Sequence, residues 1–217
     1  MQSAIMQILY KGIFRWFLKL IVGVQFPDTR FLRKEGQFII LANHNSHLDT
    51  LSLLLPYPAT FVESKTCSRG RLLRKNPVSG RFQRITSSTP FSSEEKEKRT
   101  RSTTHFRKML DAIDEGYSLI LFPEGTRGKP EQMGKIKSGI ARILSLRPEL
   151  KYIPVFMTGM GRSLPKGELI LLPYKASIFY GTPAVAGSTD VHEILKQITD
   201  DFEMMKDKYQ VVTEDDE

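Results

Sequence analysis

Three stretches, GQFIILAN, YSLILF and YIPVFMTG, constrain this chain more than anything else in it. Each holds an apolar run too short for a free-standing helix, and each stops at polar or turn-forming residues. Runs of that length and make-up read as buried strands. Helical patterns lie between and after them. SHLDTLSLLL is ended by Pro56 and Pro58, and a second helix starts near Ser93, with Glu94 and Glu95 in its first turn and Glu97 at capping distance, and stops at Gly116. KIKSGIARILSLR is a third, and DVHEILKQITDDFEMMKDKY, capped by Thr189 or Asp190, closes the chain before an acidic tail. ATFVESK, GELILLP and KASIFYGTP are expected as further strands, and the basic residues 69–84 as short helices and turns. Strands alternating with helices predict an α/β layer architecture, while the paired late strands argue against a purely parallel sheet. The expectation is one domain over residues 26–209, a mixed, mostly parallel central sheet with helices on both faces, followed by a tail over 210–217.

A chain of 217 residues needs no second domain. Its single cysteine, Cys67, rules out a disulfide framework or a thiolate metal cluster and fits a reducing compartment. A net charge of +8 favours an anionic partner: a membrane surface, nucleic acid or a phosphorylated substrate.

The first 25 residues narrow that choice. In MQSAIMQILYKGIFRWFLKLIVGVQF the polar members Gln7, Lys11, Arg15 and Lys19 recur every four residues, a drifting stripe on a helix opposite Ile8, Leu9, Ile13, Phe14, Trp16, Phe17 and Leu20. A basic stripe facing an apolar one suits a helix lying in a lipid interface. No uncharged run reaches the roughly 18 residues that a membrane span requires. An amphipathic helix packed on the domain's own core would show the same periodicity.

Candidate chemistry first appears in IILANHNSHLDT, which holds two of the four histidines. Residues five apart on a helix point about 140° away from each other, so His44 and Asp49 cannot share a site from within one helix. With the strand ending at Asn43 and the helix capped near Asn45 or Ser46, His44 lies on the turn and Asp49 reaches back from the first or second helical turn. The carboxylate then holds one imidazole nitrogen and leaves the other as a base. Capping alone would also explain such a polar turn. A metal reading rests on the His-x-Asp form of His47-Leu48-Asp49. It needs a distal histidine, and only His105 and His192, both in expected helices, remain. No metal is expected, and His47 is assigned no role.

The second candidate is LILFPEGTRG, residues 119–128, where an apolar strand runs straight into Pro-Glu-Gly-Thr-Arg. Glutamate, hydroxyl and guanidinium emerge together at a strand's carboxyl end, where open α/β sheets bind ligands. Arg127 could grip a phosphate bidentately, and Gly125 permits close backbone approach. By itself, Pro-Glu-Gly is also simply a turn.

Together, NHNSHLD and, some eighty residues on, FPEGTR resemble the glycerolipid acyltransferases typified by 1-acylglycerol-3-phosphate acyltransferase. That family carries N-H-x-S-x-x-D and F-P-E-G-T-R in this order. KIKSGIARI, IPVFMTG, LPKGE and FYGTP extend the resemblance over roughly residues 36–183. It implies that His44 is a general base and Asp49 its orienting carboxylate. Glu124, Gly125, Thr126 and Arg127 would line the acceptor site, with Lys137 and Arg84 as further phosphate-holding cations. The implied reaction moves an acyl group from acyl-CoA or acyl-carrier protein to the hydroxyl of a lysophospholipid, with no cofactor and no nucleic acid. The implied location is the cytoplasmic face of an anionic membrane, as a peripheral or monotopic protein. One departure stands out: the family's Ile-Asp-Arg block, thought to help bind the acceptor's phosphate, has no counterpart in RFQRITSSTPFSSEEK, where Arg81 or Arg84 could supply the charge. Ile136 also replaces the usual Phe. A different lyso-lipid, an amino-lipid or glycerol 3-phosphate as acceptor, or a non-enzymatic basic membrane-binding module, are the alternatives.

Overall fold

The computed structural model describes residues 15–33, 35–46, 48–54, 70–73, 105–164 and 172–214. A short helix α1, Arg15–Phe17, runs into a π turn, Leu18–Val22, and stops at Gly23, whose φ of 70° suits glycine. Strand β1 follows at Phe38–Ala42 and helix α2 at Leu48–Leu54. Then come β2 (Gly70–Leu73), α3 (residues 105–114), β3 (Ser118–Leu121), α4 (Gly139–Leu146) and β4 (Lys151–Thr158). The chain continues through α5 (Met160–Ser163), β5 (Ser177–Tyr180) and the long helix α6, Val191–Glu214.

The five strands form one sheet in the order β2-β3-β1-β4-β5. β1 pairs in parallel with both β3 and β4, and the two outer strands are antiparallel. Alternate residues of the three parallel strands enter two separate cores. Phe38, Ile40, Ala42, Ile120, Ile153 and Val155 face α2, α5 and the N-terminal turn, whereas Ile39, Leu41, Leu119, Leu121 and Tyr152 face α3, α4 and α6. Both faces are therefore dry. This is why the strands read as unbroken apolar runs rather than as alternating ones. Truncating one fully buried side chain at the centre, such as Ile40, costs about 2–5 kcal/mol.

Several boundaries differ from expectation. Residues 70–73, expected as helix or turn, form an edge strand, because Gly70–Leu73 lies antiparallel along β3 and completes its hydrogen bonding. Lys135–Ser138 stay outside α4: the Lys137 amide donates to the Pro123 carbonyl at 2.9 Å, which ties this segment to the preceding loop. The closing helix runs on to Glu214, past the Tyr209 at which the pattern suggested its end, and so takes in the first part of the expected tail. Asp190 caps it as expected, accepting the amides of His192 and Glu193. Residues 172–173 are not strand, while ATFVESK and the rest of GELILLP lie outside the described residues.

In the described part of the N-terminal segment, buried and exposed apolar side chains lie side by side. Leu18 and Val22 are fully buried in the domain's own core, while Trp16 is 67% and Leu20 66% exposed. Residues 1–14, most of the expected interfacial helix, lie outside the described residues. Among the described residues no helix is long and apolar enough to cross a membrane.

Candidate active site

Parallel pairing decides what meets at the top of the sheet. Leu41 is opposite Leu121, so His44 and Glu124 each stand three residues beyond the same rung. The two loops at these carboxyl ends are joined by a reciprocal pair of bonds. The His44 amide donates to Glu124 Oε1 at 2.8 Å, and the Gly128 amide donates to the His44 carbonyl at 2.9 Å. A third tether comes from Asn43, whose side chain both donates to the Met157 carbonyl and accepts the Met157 amide on β4.

His44 sits on the turn and Asp49 is the second residue of α2, as the five-residue separation required. His44 Nδ1 lies 2.8 Å from Asp49 Oδ2. The same oxygen accepts the amides of Asn45 at 2.7 Å and Ser46 at 2.8 Å, while Ser46 Oγ accepts the Leu48 amide. Capping and the expected His44–Asp49 pairing thus coincide, since Asp49 closes the helix start with the oxygen that holds the imidazole. An ionised carboxylate only accepts, so Nδ1 carries the proton and Nε2 is left with its lone pair. The carboxylate is wholly buried and the His44 side chain is 19% exposed. The imidazole also stacks on Phe122, with centroids 3.9 Å apart and planes 19° from parallel, which fixes the ring from the side.

The FPEGTR loop divides in two. Glu124 is buried, with Oε1 taken by His44 and Oε2 by the Gly134 amide at 2.6 Å, and burial raises its pKa against the pull of those two amides. A Cβ on Gly134 would lie 2.8 Å from Oε2, so glycine is what lets that backbone come so close. Beyond Glu124 the loop turns outward: Thr126 is exposed and Arg127 half-buried. The side chain of Lys137 crosses over Gly125, where an added Cβ would meet Nζ at 3.0 Å. Gly125, with φ at 72°, needs the left-handed region to make this turn. Its amide donates to the Phe122 carbonyl at 2.9 Å, so it is not an open donor for a developing oxyanion.

His44, Glu124, Gly125, Thr126, Arg127 and Lys137 come from the two loops at the top of the sheet and the segment tied to them, and Asp49 from the first turn of α2; Arg84 and His47 lie outside the described residues. Ser46, a cap candidate in the sequence, does accept the Leu48 amide, whereas sequence reasoning assigned no role to the side chains of Phe122 and Asn43. Phe122 carried a signal, as the one large aromatic at the strand exit. Asn43 carried none, because its partner is backbone more than a hundred residues away.

Comparison with known proteins gives the family and the fold. A family model described as Acyltransferase matches residues 23–158, which include both loops. A 1-acyl-sn-glycerol-3-phosphate acyltransferase of Cocos nucifera is 27% identical over 75% of this chain and 48% of its own length. One from Limnanthes douglasii is 28% identical over 91% of this chain and 65% of its own length. The chain thus spans about half to two-thirds of the length of these curated relatives. Among solved structures, the 1-acyl-sn-glycerophosphate acyltransferase PlsC of Thermotoga maritima superposes with a TM-score of 0.60 at 20% identity, covering 96% of this chain and 79% of that one, and so shares its fold. With the family model matched over well more than half its length, this chain belongs to the Acyltransferase family.

Proposed function

We propose that the chain is an O-acyltransferase that moves a fatty acyl group from a thioester, acyl-CoA or acyl-carrier protein, to the hydroxyl of a lysophospholipid, with 1-acylglycerol 3-phosphate as the acceptor. The observation that carries this reading is the His44–Asp49 pair at 2.8 Å, with Nε2 left to accept a proton beside a loop that presents Thr126, Arg127 and Lys137. An alcohol is a weak nucleophile at neutral pH, so its proton must be taken as its oxygen attacks. Nε2 takes that proton while the oxygen bonds to the thioester carbonyl carbon. Collapse of the tetrahedral intermediate breaks the C–S bond, and the leaving thiolate recovers the proton from the imidazolium. Asp49 stabilises that imidazolium and fixes the ring's tautomer, the part a carboxylate plays in hydrolytic triads, here without a serine. Glu124 acts through the His44 backbone. Arg127 and Lys137, with Arg84 as a further cation, hold phosphate on acceptor or donor.

The membrane part of the reading rests on exposed Trp16, Phe17 and Leu20 and on the +8 charge, which together suit a peripheral or monotopic protein on the cytoplasmic face of an anionic bilayer. The test is a panel of 1-acylglycerol 3-phosphate, other lyso-lipids and glycerol 3-phosphate, each offered with acyl-CoA and acyl-carrier protein and read by mass spectrometry. Turnover of 1-acylglycerol 3-phosphate that disappears in His44→Ala is the expected result. Turnover of a different acceptor alone would move the assignment to it. Vesicle binding with no turnover of any acceptor would leave a basic membrane-binding module.

A further inference from the structure

We infer that Glu131 is a positioning residue for the His44–Asp49 pair, holding from behind the turn on which Asn45 rests. Glu131 has φ at 58°, the one non-glycine residue in the left-handed region among the described residues. Side chains avoid that region, so a residue held there is held by something outside its own backbone.

What holds it is the turn between β4 and α5. Glu131 Oε2 accepts the Gly159 amide at 3.0 Å, and its carboxyl is buried enough for desolvation to raise its pKa against the amides of Gly159 and Gly161. The turn so anchored presses on the catalytic loop. A Cβ on Gly161 would lie 3.1 Å from Asn45 Cβ and 2.8 Å from Pro130 Cα, so there is no room for a side chain between Gly161, Pro130 and the root of the Asn45 side chain. Asn43, Asn45, Glu131 and Thr158 line one small cavity at the same place. Asn45 is the residue whose amide donates to Asp49 Oδ2 at 2.7 Å. The path from Glu131 to the imidazole is therefore continuous: carboxylate to Gly159, Gly161 to Asn45, Asn45 to Asp49, Asp49 to His44.

The two glutamates of this region differ in one decisive respect. Both oxygens of Glu124 accept amides, whereas Glu131 Oε1 is buried and makes no hydrogen bond among the described residues, the Gly161 amide being only the weakest of the pulls on this carboxyl. A glutamine at 131 keeps the oxygen that Gly159 needs and turns its NH2 toward the cavity, which carries the unpartnered Asn45 Oδ1 and Thr158 Oγ1 among its lining residues. Glu131→Gln should thus be tolerated.

The inference rests on the catalytic reading of His44, and the experiment separates the two. Full-length Glu131→Ala, Glu131→Gly, Glu131→Gln and His44→Ala are compared by kcat, by KM for donor and acceptor, by thermal melting and by the His44 Nδ1 proton resonance. Glu131→Ala is expected to lower kcat about tenfold with both KM values within about twofold, as a small displacement of a reacting group does. Its Nδ1 proton signal should broaden or move. Glu131→Gly relieves the backbone and should recover melting temperature without recovering kcat. Glu131→Gln should keep kcat within about threefold of wild type and leave the resonance in place. Wild-type kcat in Glu131→Ala, a glutamine no better than alanine, or a glycine that restores kcat would each overturn the inference. An active His44→Ala would overturn the catalytic reading beneath it, whereas an inactive His44→Ala beside a normal Glu131→Ala overturns only the role of Glu131.

Discussion

The two loops at the carboxyl ends of β1 and β3 start from the same rung of the sheet and use buried polar groups in opposite ways. After β1, Asn43, Asn45, Ser46 and Asp49 are all buried, and all but one of the hydrogen bonds these side chains make run to backbone. After β3, the buried carboxylate of Glu124 anchors a loop on which Thr126 is exposed and Arg127 half-buried, with exposed Lys137 crossing over it. The first loop is a rigid frame for one imidazole. The second is an anchor with a cationic rim. Under the proposed function, preorganised geometry serves proton transfer, which tolerates little displacement, while charge on flexible stems serves a phosphate that arrives from water.

Substitutions in the two loops should separate along that line. The largest effect is expected for His44→Ala, a loss of about 10³-fold or more in kcat with melting little changed, because the base vanishes while the backbone bonds to Glu124 and Gly128 remain. Next is Asp49→Asn. The one oxygen that serves the imidazole and two backbone amides becomes a neutral, weaker acceptor, so kcat should fall about 10²-fold and melting should fall with it. An Asp49→Asn enzyme that melts like wild type would break the idea that cap and site are one structure. Glu124→Gln places an NH2 against the amide of either His44 or Gly134, a clash of donors costing about 1–3 kcal/mol, and kcat should drop about tenfold through the His44 backbone. On the rim, Lys137→Ala should raise KM for a phosphorylated acceptor about fivefold with kcat nearly intact, and the effect should shrink in high salt. A kcat effect larger than the KM effect would show that the rim belongs to the frame.

Much of this was readable in the sequence, for reasons that also explain the failures. β1, β3 and β4 were legible because burial on both faces leaves unbroken apolar runs, and His44 on the turn with Asp49 on the helix because residues five apart cannot share a site within one helix, although only the resemblance carried by FPEGTR favoured a site over a capped turn. What escaped depends on partners distant in the chain. β2 is a strand only because β3 offers it an edge, and nothing in Gly70–Leu73 announces that. Lys135–Ser138 carry a helical pattern that a single bond from Lys137 to Pro123 overrides. Glu124 drew notice as a group emerging toward ligand, yet its carboxylate is occupied by an amide eighty residues earlier in the chain and another ten residues later. Periodicity reports which face an element buries, and it is silent about which backbone amide a side chain will find.

The smallest expected effect tests whether Glu131 is buried in the way its neighbours imply. Desolvation raises its carboxyl pKa above the ordinary 4.5, against the amides of Gly159 and Gly161 and the positive charge of Arg162, and with the help of the Asp49 charge. A group whose pKa is raised on folding contributes stability that is full below its unfolded value and lost as pH rises through the folded one. Wild type should therefore lose a little stability between pH 4.5 and neutrality that Glu131→Gln, which does not titrate, does not lose. The melting temperature of the variant relative to wild type should rise by about 1–2 °C across that range, a small shift because the side chain is only partly removed from water. A difference that stays flat with pH would mean that Glu131 meets solvent freely. The Gly159 bond would then be too weak a tie to hold a catalytic loop, and the comparison between the two glutamates would fail with it.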